Sequence, residues 1–436
     1  MSTKAGETGG RRVFAFITLG VGLAILTVGW YLPSWPLDLE APQVSYVQSL
    51  LANLGTTVTL VGLLVLFERK IVESSIRIVR ATSDRRFAKR MDARAHVSLS
   101  LKYFRNATGP LYETQSLTER LTIPLMEIPN DDWRVRVNPF DDRPFSLADA
   151  KRQDFGYNRN AIKWRRDNGI KLWDGSHLFV EKSDISAHQI SVVVGNFFSF
   201  VTKSDDVSEE MESRRPFRKR PLRDVLSNPR KAWGDQATKL VISGAAVCVF
   251  ETGNGAVVPM QIRSQEVVST RGLQAVSPVF GMEPNNVGGT RSEFGIPMYN
   301  LMKEFLEEIF DQEGTKRVGD KPRLDDPDWI FRTREARRLR RELTMPWTSA
   351  RITGVAMDPM EASVVVSYLV HFRSPGFYRY VRARARGNWE AEQNGGVAKI
   401  SFVDFERATT LMTLDRMAVT SIYALDRARV HLGRSG

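Results

Sequence analysis

Leu240–Ile262 reads LVISGAAVCVFETGNGAVVPMQI, and this stretch decides the fold class. Leu240–Phe250 is a near-continuous apolar run, the pattern of a strand buried on both faces. Gly253-Asn254-Gly255 is a hairpin turn signal, and Ala256–Ile262 returns as the second strand. Working outward, Val267–Val268 and Gln274–Phe280 are read as continuing the sheet, and Ile352–Met357 and Ser363–Arg373 as further strands. Asn300–Asp311 is helical in pattern, with Leu301, Met302, Phe305 and Ile309 on one face. Leu411–Leu432 reads as a long amphipathic closing helix. Strands with helices packed on them predict an α/β sandwich.

Upstream, Leu178–Lys182 and Ile190–Val194 read as short strands, followed by the aromatic cluster Phe197, Phe198 and Phe200. The charged segment Asn130–Arg143 reads as loop, and Ser204–Arg220 as a charged stretch that ends this part of the chain. His177 and His188 read as structural or solvated histidines.

The chain has 436 residues and a net charge of +12, which points to an anionic partner: nucleic acid, acidic lipid or a phosphorylated ligand. One cysteine, Cys248, excludes a disulfide framework and a thiolate metal cluster. Near the N-terminus, Val13–Leu32 carries no charge and is about 30 Å long as a helix, the thickness of a bilayer core. A second uncharged run has its best span at about 47–67. Arg11 and Arg12 precede the first run, Arg69 and Lys70 follow the second, and the loop between has no Lys or Arg. By the positive-inside rule the expectation is therefore a membrane protein with an N-terminal two-helix transmembrane hairpin and both termini cytoplasmic. Gly20, Gly22 and Ala24 on the first helix allow close approach and Asn53 on the second can hydrogen-bond, either between the two helices of the hairpin or between subunits. Gly20, Ala24 and Asn53 are the expected assembly contacts. The expected organisation is a hairpin over 1–70, a basic juxtamembrane helix over 71–98, a mixed α/β subdomain over 99–235 and a second α/β domain over 236–436.

Lys303-Glu304-Phe305-Leu306-Glu307-Glu308 carries the chemistry. Spacings of three and four put Glu304, Glu307 and Glu308 on one helix face, where they need open water or a hard cation such as Mg²⁺. A second cluster, Arg332 to Arg341, reads as a solvated helix face or as guanidinium forks for phosphates.

The hairpin bearing Arg263, the strand ending in Val279-Phe280-Gly281 and the KEFLEE helix together resemble the Nudix family. Its box runs glycine, glutamate, then Arg-Glu-apolar-x-Glu-Glu-x-Gly. Gly289 matches the opening glycine, whereas Gly295 stands in the place of the upstream glutamate. Lys303 replaces the arginine, and Phe310 the closing glycine. The resemblance implies a Nudix-like α/β/α sandwich in the cytosol, with Glu304, Glu307 and Glu308 as metal ligands and Glu308 as the catalytic group. Mg²⁺ would be the cofactor if the domain is catalytic. Arg263, Lys303, Arg337 and Arg338 are the expected ligand-binding side chains.

A two-helix hairpin joined to such a domain is similar in layout to the transmembrane Nudix effectors of bacterial cyclic-oligonucleotide antiphage (CBASS) systems. That similarity implies an anionic nucleotide ligand, a homo-oligomer in the bacterial cytoplasmic membrane, the lipid bilayer as a partner and a nucleotidyltransferase as a functional one. An anchored Mg²⁺-dependent hydrolase of nucleoside diphosphate derivatives and a non-catalytic membrane scaffold are the alternatives.

Overall fold

The computed structural model describes residues 4–31, 42–63, 93–105, 109–115, 119–128, 136–147, 153–172, 174–181, 189–212, 221–234, 238–287, 290–312, 317–318, 321–322, 327–388, 390–394, 397–398 and 400–433. The chain divides into two compact units, Met1–Ala88 and Lys89–Gly436.

The first unit holds helix α1 (Lys4–Tyr31) and helix α2 (42–63). They approach closely at glycines. A Cβ on Gly22 would collide with Thr59, and one on Gly55 would lie 2.6 Å from Leu26 Cγ and 3.0 Å from the Gly22 carbonyl. Gly20 meets nothing, and Gly20, Ala24 and Asn53 are all exposed, so the contact between these helices falls at Gly22, Gly29 and Gly55. Among the described residues no helix is long and apolar enough to cross a membrane. Polar Gln48, Asn53, Thr56, Thr57 and Thr59 dilute α2. This corrects the expectation of a membrane protein with a transmembrane hairpin. Most of the basic segment 68–94 lies outside the described residues, as does most of the loop after Tyr31.

The second unit is α/β, built on a curled mixed sheet of eleven strands. They are β1 (Met126–Glu127), β2 (Phe145–Leu147), β3 (Ser176–Val180), β4 (Ile190–Asn196), β5 (Val241–Thr252), β6 (Gly255–Ile262), β7 (Gln274–Val276), β8 (Val279–Gly281), β9 (Thr348–Asp358), β10 (Ser363–Phe372) and β11 (Ser401–Asp404). The main order is β1-β9-β10-β5-β3-β4-β2, with β8 and β6 also on β5, and β7 and β11 on β6. β10 runs parallel to β5, and β2 to β4; the other pairs are antiparallel. Because β3 and β4 share the sheet with β5, the boundary expected near residue 235 separates no two sheets.

The helices are α3 (Ala93–Phe104), α4 (Arg159–Asp167), α5 (Phe197–Glu212), α6 (Pro221–Leu226), α7 (Pro229–Gly234), α8 (Ile296–Glu304), α9 (Arg334–Leu343), α10 (Pro375–Arg382), α11 (Phe405–Thr410) and α12 (Val419–His431). Alternation along β5 and β10 sets the layers. Ile242, Ala246, Cys248, Val364, Val366 and Tyr368 pack toward α8, and Ala245, Val247, Val249, Val365 and Leu369 toward α12. Each such side chain contributes about 1.5–3 kcal/mol of burial.

Three local readings change. The turn at Gly253-Asn254 joins β5 to β6 as expected, but Val267–Val268 lies in turns, not in a strand. Ser204–Arg220 begins as helix, since α5 continues to Glu212 with Val207 and Met211 in the core. The closing helix starts only at Val419, and it is buried nearly all round through Ala428 instead of amphipathic.

Candidate ligand site

α8 starts where Pro297 supplies a preset first turn and the Asp142 carboxylate accepts from the Ile296 N–H at 2.9 Å. A Cβ at Gly295 would overlap the Asp141 carbonyl, so the glutamate of the Nudix box has no room there. One turn on, Asn300 pins the Glu283 backbone: its Oδ1 accepts from Glu283 N–H at 2.7 Å, and its Nδ2 donates to Glu283 O at 2.9 Å. Lys303 follows three residues later on the same face. Its ammonium lies 3.0 Å from Glu283, 3.4 Å from Glu304 and 3.6 Å from Glu307.

The helix then widens into a π-helical turn, Phe305–Ile309. Such turns insert a residue and re-aim side chains. Glu308 belongs to a different set of partners. One of its oxygens accepts from Ser277 Oγ at 2.8 Å and Gln261 Nε2 at 3.1 Å, while the other faces Arg263 Nη1 at 3.4 Å. Arg263 in turn pairs with Glu390 at 2.6 Å. The single carboxylate face read from the sequence is therefore two separate groups, each with its own cation. It is also buried, with Glu308 only 1% exposed, so the reading of a solvated acidic face is corrected.

Burial opposes the Lys303 charge, but Glu283, Glu307 and Glu304 outweigh it and hold the ammonium well above the usual lysine range. Burial raises Glu304 far above the carboxylate range, with Lys303 opposing and Glu307 and Glu283 adding to the rise. Burial, then Glu390, pushes Glu308 up to about 8 against Arg263 and Ser277.

Among the described residues no group of three or more His, Cys, Asp or Glu side chains is arranged to hold a metal ion. The geometry gives the reason: the Lys303 ammonium occupies the centre that a divalent cation would need. The residues present do not fit Mg²⁺.

Lys303, Glu304 and Arg263 line a cavity of about 240 Å³. Its opposite wall is α5, whose Phe197, Phe200, Ser204, Asp205 and Ser208 recur at helical spacing on one face. His177 lies between the two, its ring 4.9 Å from Phe197 and its pKa lowered by burial. Arg165 reaches in from α4 to Asp205 at 2.6 Å. Buried polar atoms of lining residues without a hydrogen-bond partner include Arg165 Nε, His177 Nδ1, Asp205 Oδ2 and Arg263 Nε.

Of the expected ligand-binding residues, Arg263 and Lys303 line this cavity and Arg337 and Arg338 do not. The latter two sit on α9, with Arg338 over the Tyr380 ring at 6.0 Å. Phe310 is buried against Phe305. Gly289 and His188 lie outside the described residues. Glu283, Glu390 and the α5 face went unread in the sequence. The helical recurrence of 197, 200, 204 and 208 was the available signal for α5. No family model matches the chain, and no curated protein matches it.

Proposed function

We propose that the Lys89–Gly436 unit is a receptor for a nucleotide-class ligand, built on a Nudix-like site that no longer hydrolyses. The observation that carries this reading is the Lys303 ammonium among Glu283, Glu304 and Glu307. A built-in cation keeps the acidic helix folded without metal and leaves no metal-bound water to attack a diphosphate.

The remainder of the cavity suits a nucleobase. Phe197, Phe200 and His177 offer ring faces for stacking. Asp205 Oδ2 can accept from an exocyclic amine, and Arg165 Nε can donate to a ring nitrogen or carbonyl, which satisfies two polar atoms now without partners. At about 240 Å³ the cavity lies below the roughly 300–1,000 Å³ of drug-sized sites, so it takes one nucleoside of a larger ligand.

Thermal unfolding with mono-, di- and cyclic oligonucleotides, in Mg²⁺ and in EDTA, tests this reading. A binder at about 100 times its Kd adds about 2.7 kcal/mol of stability. The expected outcome is stabilisation by at least one nucleotide, equal in Mg²⁺ and EDTA, with the nucleotide recovered intact. Mg²⁺-dependent cleavage, or no stabilisation by any nucleotide, overturns the proposal.

A further inference from the structure

Helix α9 carries five arginines. Arg334, Arg337, Arg338 and Arg341 recur at spacings of three and four, forming one stripe opposite the buried Ala336 and Leu339. None of the four has a carboxylate partner among the described residues, whereas Arg340, off the stripe, pairs with Glu293 at 2.6 Å. At the end of α10 the stripe is extended. Arg384 stacks over Tyr380 at 4.2 Å, on the same ring that Arg338 approaches, and Arg382 lies over Tyr378 at 6.0 Å. Glu335 is the carboxylate at this edge, and it accepts from Gln312 Nε2 at 3.0 Å. Apart from Glu335, these six guanidinium groups have no carboxylate partner among the described residues, which creates a local positive field.

We propose that the α9–α10 surface binds the phosphate backbone of nucleic acid without sequence preference, at a site separate from the cavity. The charge is all arginine, whose planar fork matches a phosphate in bidentate geometry. Stacking on Tyr380 and Tyr378 orients three of the forks in advance. From Arg334 to Arg341 the stripe rises roughly 10 Å, the reach of about three successive phosphates on one strand. Apolar side chains beside the cations, Leu339, Phe377 and Val381, are buried in the core, so the surface has none of these to insert into lipid. Contacts to phosphates carry no base information, which is why the binding is sequence-independent.

Fluorescence anisotropy of the full chain with labelled single strands of two unrelated sequences, against rising NaCl, tests the proposal. Three phosphate contacts give a slope of log K against log salt of roughly −2 for single strands. The expected result is equal affinity for both sequences with about that slope. Arg338→Glu combined with Arg384→Glu should weaken binding at least about tenfold and reduce the slope by roughly 1.4, with an unchanged melting temperature. If that pair melts early, Arg337→Glu with Arg341→Glu reads the same surface. Undiminished affinity in the folded variants overturns the proposal. So does binding to phosphatidylserine vesicles with none to the oligonucleotides.

Discussion

The α8 helix and the α9 helix both carry more charge than ordinary helices, and the fold treats them in opposite ways. On α8 and its π turn the charges are buried and each has a partner inside the protein: Lys303 for Glu304, Glu307 and the distant Glu283, and Arg263 for Glu308. On α9 four of the arginines have no carboxylate partner among the described residues. Buried charge without compensation costs several kcal/mol, so a buried cluster must carry its own counter-ions. Exposed charge is screened and needs none, so an uncompensated stripe persists at small cost and remains available to an external anion. The first helix is closed to metal by its own lysine; the second is open to phosphate.

Removing Lys303 breaks this comparison most severely. Lys303→Ala leaves three carboxylates around one centre, and the expected loss of stability by urea unfolding is about 3–5 kcal/mol. Restoration of that stability by Mg²⁺ in the variant, with no effect of Mg²⁺ on the wild type, would sharpen the account. A loss below about 1 kcal/mol would show that the ammonium does not hold the cluster together.

A smaller effect is expected at Asp358, a buried carboxyl that has no cation. Burial, then the neighbouring Glu361, pushes it up to about 8, against hydrogen bonds from the backbone N–H groups of Glu361 and Met360. Glu361 itself accepts from Ser204 Oγ at 2.9 Å. The folded protein therefore retains a proton that the unfolded chain releases above about pH 4, so stability falls as pH rises between about 4 and 8. Asp358→Asn keeps the acceptor for both N–H groups and cannot ionise. Its melting temperature should exceed that of the wild type by a few degrees at pH 8 and match it at pH 5. An equal shift at both values would refute this assignment.

The sequence made the centre of the sheet legible because β5, β6, β9 and β10 are long, apolar and β-branched, and the turn at Gly253-Asn254 has one conformational use. The KEFLEE helix was legible from its period. The role of Lys303 was not, since its partner Glu283 is positioned by Asn300 through backbone hydrogen bonds that leave no mark on local pattern. Glu390 likewise reaches Arg263 from more than a hundred residues away. The helical start of Ser204–Arg220 was not legible because four of the six buried positions up to Glu212 are Ser204, Asp205, Ser208 and Glu210, polar residues whose partners lie in other elements. The N-terminal reading failed on a related point. The uncharged runs and their basic flanks were legible, while the polar side chains that dilute α2 were given too little weight.

The most direct test of the central claim, that Lys303 fills the cation position, is a calorimetric titration of the wild-type chain with Mn²⁺ at neutral pH. Mn²⁺ takes the same oxygen ligands as Mg²⁺ and binds such sites more tightly. The account predicts no saturable Mn²⁺ binding to the wild type. Stoichiometric binding that is lost in Glu304→Gln or Glu307→Gln would contradict it.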